Sequence, residues 1–153
     1  MYLDAPDFGG GVGLTVHIRT TRRYEYSSIT TVAVRVGESV MEVSGYGLYS
    51  LNGVIHAEMP GSLEGYKVTH EQVNKKRHNY VVDLMDGGEA IQITSFRDIV
   101  SVSIVSASKM QNSKGLLGQF GTGTMLARDG KTVIADPVAF GNEWQGWFCS
   151  VPW

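Results

Sequence analysis

Apolar and polar positions alternate along much of the first hundred residues. Leu14, Val16 and Ile18 are separated by Thr15, His17 and Arg19, the period of two that a strand with one buried face requires. Residues 31–36 repeat it, with Val32, Val34 and Val36 on one face and Thr31, Ala33 and Arg35 on the other. Gly37-Glu38 then predicts a turn into the apolar run 40–43. Residues 46–51 and 54–57 flank Asn52-Gly53, whose tolerance of positive φ favours a type I′ hairpin. Residues 80–84 and 90–94 flank Asp86-Gly87-Gly88 in the same way, and 99–105 alternates Val100, Val102 and Ile104 with Ile99, Ser101 and Ser103.

Roughly eight to ten short strands without a long helix predict an all-β, antiparallel sandwich in preference to a barrel. Beyond Lys109 the alternation fades, and Gly115, Gly118, Gly121, Gly123 and Gly130 predict an irregular, glycine-rich C-terminal segment that ends in three tryptophans. No linker or internal repeat divides the chain, so residues 1–153 are expected to form one unit.

Composition narrows the function classes. A length of 153 residues with 42% hydrophobic residues suffices for a core without disulfides or metals, and 19 glycines against 4 prolines favour tight turns. A formal charge of −2 provides no electrostatic attraction for nucleic acid or an anionic membrane, so neither is an expected partner. No apolar run approaches the roughly 18 to 20 residues of a membrane-spanning helix. The N-terminus lacks the basic start and apolar stretch of a secretory signal. The single cysteine, Cys149, has no internal disulfide partner and reads as a small apolar side chain.

Near the C-terminus, Gly115-Leu116-Leu117-Gly118-Gln119-Phe120-Gly121-Thr122-Gly123 precedes Asp136-Pro-Val-Ala-Phe140-Gly141-Asn-Glu-Trp144. This pair of blocks resembles the end of a von Willebrand factor type D module, which carries Gly-Leu-Cys-Gly-Asn-Phe and then an acidic stretch leading to Phe-Gly-x-x-Trp. Strands upstream extend the resemblance over about residues 13–145, with Gly115, Leu116, Gly118, Phe120, Phe140, Gly141 and Trp144 as its structural motif. It implies a non-catalytic structural or binding module of a secreted or cell-surface multidomain protein, in adhesion or matrix assembly, and an extracellular location. The family's opening strand is absent before Met1, which implies a fragment whose exposed sheet edge is open to self-association. Leu117 replaces the motif's cysteine, so cysteine-linked multimerisation is not implied.

Several members of that family hold calcium with Asn and Asp oxygens in this region. Gln119 and Gly121 stand at the matching positions and are poor replacements, leaving Asp129 and Asp136 as the remaining calcium candidates in a domain otherwise expected to need no cofactor. Gly118 to Gly123 lacks the Gly-Lys-Ser/Thr ending of a phosphate loop, and the Gly9–Gly13 run precedes a strand.

His17, His56, His70 and His78 lie at no zinc-ligand spacing, and no Gly-x-Ser-x-Gly is present. Asp83 and Asp86 read as turn aspartates. Lys75-Lys-Arg-His78 with Arg22 and Arg23 reads as a solvated loop or, alternatively, as a patch for acidic glycans. Tyr24, Tyr26, Tyr46, Tyr49 and Trp147 read as packing aromatics or an exposed contact surface. A protein or glycan partner is therefore expected, with no catalytic residues. The alternatives are a carbohydrate-binding sandwich, marked by a strip of exposed Tyr or Trp, and a hydrolase assembled from dispersed acids and histidines.

Overall fold

A computed structural model describes residues 1–23, 25–85, 88–105, 110, 112–119 and 121–144, the side chains of Arg23 and Met85 excepted. It is an all-β fold of two antiparallel sheets. The first comprises β1 (Leu3–Ala5), β2 (Leu14–Arg23), β3 (Tyr26–Val36), β4 (Ser39–Ser44), β5 (Tyr49–Leu51) and β6 (Val54–Ile55), hydrogen-bonded in chain order. The second comprises β7 (Gly61–Leu63), β8 (Tyr66–Asn74), β9 (Arg77–Met85), β10 (Glu89–Phe96) and β11 (Ile99–Val105), again in chain order. Every neighbour is therefore reached by a short connection. A single turn, α1 (Phe8–Gly11), links β1 to β2, and α2 (Pro137–Glu143) lies near the end of the described chain.

The alternation seen in the sequence becomes rows of core residues across the strands. Leu3 stands opposite Val16, Val16 opposite Val34, Val34 opposite Met41, and Met41 opposite Leu51. In the second sheet Val68, Val82, Ile91 and Ile104 make one such row, and His70, Tyr80, Ile93 and Val102 the next. These inward rows form one buried cluster with Phe8 and Met110, and burying a side chain of this size stabilises by about 1.5–3 kcal/mol.

Several predicted elements hold. The Gly37 turn joins β3 to β4, and Asn52 and Gly53 both take positive φ, as the type I′ hairpin demands. Residues 80–84 and 90–94 fall in paired strands, although Asp86 and Gly87 lie outside the described residues. Three boundaries differ. Residues 46–51 begin with a 3-10 turn at Gly45–Gly47, so only Tyr49–Leu51 is strand. The strand expected at 54–57 stops at Ile55. Of the predicted 75–78 loop, Arg77 and His78 belong to β9, and only Lys75 and Lys76 make its turn.

The glycine-rich segment is irregular, as its composition predicts, and it packs back on the first sheet. Asp4 and Lys114 exchange two backbone hydrogen bonds of 2.7 and 2.9 Å, which closes the outer edge of β1. The edge expected to lie open beside the first strand is thus occupied. Gly115 makes this approach: a Cβ there would sit 2.5 Å from the Tyr2 carbonyl oxygen.

Trp144 is 2% exposed and donates its indole N–H to the Leu126 carbonyl at 2.8 Å. It follows α2 as its C-cap instead of closing a strand, and its backbone N–H returns to Phe140. Trp144→Ala is expected to lower unfolding stability in urea by about 3–5 kcal/mol. Trp144→Phe, which keeps most of the apolar body but orphans a buried carbonyl, should lose about 1–3 kcal/mol.

Candidate functional site

The inner face of the second sheet turns polar at one end. Period two puts Tyr66, Val68 and His70 of β8 on the core side, with His78, Tyr80, Val82 and Leu84 of β9 and Ser95 of β10. His70, His78 and Ser95 therefore occupy positions where the rest of the sheet places apolar side chains. The β8–β9 register sets His70 opposite Tyr80, and their rings stack at 4.6 Å. His78 is diagonal to His70, with His70 Nε2 3.1 Å from His78 Nδ1.

The first sheet supplies the other wall. Tyr49 of β5 meets His70 at 5.5 Å and Tyr80 at 5.4 Å between ring centroids, and His56 stands edge-on to it at 5.2 Å. Tyr49 donates its hydroxyl to the Ala57 carbonyl at 2.7 Å, which ties the chain beyond β6 to the cluster. Three of the four histidines, widely spaced in sequence, are thus gathered with two tyrosines. Among the described residues no group of three His, Cys, Asp or Glu side chains is placed to hold a metal ion.

Over this cluster the Gly45–Gly47 turn is pinned to the second sheet. The Gly47 N–H donates to Ser95 Oγ at 3.0 Å, the Gly47 carbonyl accepts from the Tyr80 hydroxyl at 2.8 Å, and Ser95 Oγ donates to the Ser44 carbonyl at 3.0 Å. Only glycine fits at 47: its φ is +70° and a Cβ would lie 2.5 Å from the His78 ring. Tyr46, between the two glycines, is driven to φ +61° and donates its N–H to the Arg97 carbonyl. Such a conformation costs an L-residue roughly 1–2 kcal/mol.

Tyr46 leaves its side chain 70% exposed. Leu48, Val54 and Ile55, further along the same stretch, are also exposed large hydrophobics, while the pinned part of the backbone is the Gly45–Gly47 turn. Asn52, His56 and Arg97 share the positive φ of Tyr46, which leaves Glu64 as the single non-glycine outlier elsewhere among the described residues. Local strain is concentrated here.

The sequence-based candidates fare differently. Asp129 accepts from the N–H groups of Lys131 and Thr132 and from the Thr132 hydroxyl, and these bonds, the hydroxyl foremost, hold its pKa down at about 2. Asp136 caps α2 by accepting from Val138 and Ala139. Both calcium candidates thus have local structural work in the chain. Gln119 and Gly121 belong to a tight loop in which the Gln119 N–H donates to Thr124 and its carbonyl accepts from Gly123.

Gly115, Gly118, Phe140 and Trp144 are buried, Leu116 and Gly141 partly so, and Leu117 is exposed. Phe120, Cys149, Trp147 and Tyr24 lie outside the described residues. Arg77 and Arg97 both stand over the Phe96 ring, at 5.9 and 5.5 Å. No protein-family model matches this chain, and no curated protein matches it significantly.

Burial, helped by the N-terminal ammonium and Arg35, lowers the pKa of His17 from 6.5 to about 4. Burial and the neighbouring His78 and His56 lower that of His70. The unfolded chain therefore takes up protons that the folded chain refuses as pH falls from 6.5 towards 4, so stability is full above this window and declines through it. The melting temperature is expected to drop across that range, and His17→Gln should flatten the drop. An unchanged slope in the variant would show that His17 is not a contributor. Gly47→Ala should destabilise by about 2 kcal/mol or more at neutral pH, since it adds both strain and a clash with His78.

Proposed function

We propose that the domain is a non-catalytic contact module that holds a protein partner through residues 46–55. The observation that carries this reading is Tyr46. A glycine would take its backbone conformation without strain, and a side chain 70% exposed returns little to folding. A strained aromatic on a pinned turn is worth its conformational cost when the ring meets something outside the fold. The pinned backbone also reduces the ordering entropy that binding would otherwise lose.

The chemistry of the surface favours a protein over a sugar. Leu48, Val54 and Ile55 follow the tyrosine along the chain and are exposed, and aliphatic side chains of this kind suit the apolar centre of a protein interface. Sugar recognition calls for a strip of exposed aromatic faces. The histidines beneath do not favour hydrolysis: His70 and His78 bond each other, and among the described residues neither has a carboxylate partner to orient it as a base. The type D resemblance of the 115–144 region supports placing the module in a secreted or cell-surface multidomain protein, with adhesion or matrix assembly as its setting.

The test pairs stability with binding. Tyr46→Gly relieves the strained φ, so its melting temperature should equal or exceed that of the parent, while its binding to the cell surface and extracellular matrix of the source organism should be lost. Ile55→Ser should weaken binding with little change in stability. Retained binding in both variants would overturn the proposal, as would a reproducible hydrolytic activity of the purified domain. Capture by a glycan array in place of protein would move the assignment to a lectin.

A further inference from the structure

Two hairpin turns of the second sheet adjoin at one end of the sandwich. Lys75 and Lys76 turn β8 into β9, Arg97 and Asp98 turn β10 into β11, and the Arg97 N–H donates to the Lys76 carbonyl at 3.0 Å. The β9–β10 register sets Arg77 opposite Phe96 on the outer face, because His78 and Ser95 beside them face inward. Both guanidinium groups stand over the Phe96 ring, Arg77 at 5.9 Å and Arg97 at 5.5 Å. Lys75, Lys76, Arg77 and Arg97 are all exposed, and among the described residues no carboxylate lies within ion-pair distance of any of them. The basic run at 75–78 thus loses His78 to the inner face and gains Arg97 from the neighbouring turn.

This grouping is not a sample of the whole surface. The chain has a formal charge of −2, and the turns at the opposite end of the sandwich carry Glu38 and Glu64, brought together by the 3.2 Å hydrogen bond from Ser39 to Glu64. Around the basic turns, Asp98 and Glu71 are the acids nearest in the strand register. Gathering four like charges on adjacent turns works against folding, and a polyanion lying across them would relieve the repulsion. The guanidinium groups are steadied by the ring they share, so less of their freedom remains to be lost on binding.

The chemistry of the ledge selects among polyanions. Guanidinium presents a planar fork of donors that grips two oxygens of an oxyanion at once, and lysine adds a point charge. Phe96 is taken up by the two arginines instead of being presented as a bare face on which a nucleobase could stack. We propose that the turns at 75–77 and 97–98 form a binding site for a sulfated polysaccharide, with Arg77 and Arg97 holding sulfate oxygens and Lys75 and Lys76 following the chain. The site does not use the side chains of residues 46–55 and does not depend on the partner proposed for them.

Titration calorimetry of the full chain with heparin should show binding that weakens steadily as salt is raised, and desulfated heparin should bind about tenfold more weakly or less. Arg77→Gln with Arg97→Gln should weaken heparin binding by about tenfold or more. Arg35→Gln with Lys67→Gln removes the same charge at the opposite end, and should leave binding within about twofold of the parent. Tyr46→Gly should bind heparin as the parent does, which separates this site from the surface at 46–55. The melting temperature reports that each variant folds. Absence of heparin binding, equal affinity for the desulfated chain, equal loss in the two double variants, or loss in Tyr46→Gly would sink the assignment. So would tighter binding of polyglutamate, single-stranded DNA or phosphatidylserine vesicles, which would point to an acidic protein, a nucleic acid or a membrane surface.

Discussion

The most consequential contact in the molecule is the one that fastens Gly47 to the opposite sheet. Its N–H and C=O are both taken, by Ser95 and Tyr80, and Ser95 passes a further hydrogen bond back to Ser44. Elsewhere the two sheets are joined mainly by apolar packing, which is strong but non-directional, with the Tyr46 N–H to Arg97 carbonyl bond and a Ser39–Glu64 hydrogen bond beside it. Here directional bonds in a buried setting fix one sheet's register against the other. The absence of a side chain at 47 lets His78 approach, and the turn that this creates leaves Tyr46 no conformation but a strained one. The exposed aromatic and its left-handed backbone are two consequences of one close approach.

The Gly47 contact also explains which parts of the site were legible in the sequence. Period two assigned Val32, Val34, Val36, Val100 and Val102 to inward faces, and the Asn52-Gly53 hairpin followed from local chemistry alone. β8 was not legible, because its polar run from Thr69 to Gln72 masks the inward positions Val68 and His70. β1 and β7 are too short for a pattern to register. The histidine cluster was hidden for a different reason. His70 and His78 are brought together by the β8–β9 register, and His56 by the return of β5–β6 across the core, neither of which is a local property. One clue was available: His78 alternates in phase with Tyr80, Val82 and Leu84, so the period that assigned those residues to the core assigned the histidine to it as well.

In the glycine-rich C-terminal segment the acidic side chains also serve the local backbone. Asp129 and Asp136, the calcium candidates by residue type, each accept hydrogen bonds from the residues two and three positions further on. A segment with little regular structure has many backbone N–H groups that no ladder satisfies, and short carboxylates answer that need locally. The same accounting explains Lys114, whose backbone completes the edge of β1 while its ammonium caps the Arg128 carbonyl. The segment therefore closes the β1 edge of the first sheet.

Strain at residue 46 poses a physical question of its own. It departs from what folding alone would favour, since a glycine at 46 would relieve a left-handed backbone. Folded domains of this size hold about 5–15 kcal/mol of net stability, so a loss of roughly 1–2 kcal/mol at one turn is tolerable but not negligible. The remainder of the chain obeys the local rules closely, with a bridged β1 edge, capped α2 and turn residues of the right kind. A strained and exposed aromatic at a turn held this firmly accords with a contact that the isolated chain does not make, an apolar partner at the pinned turn.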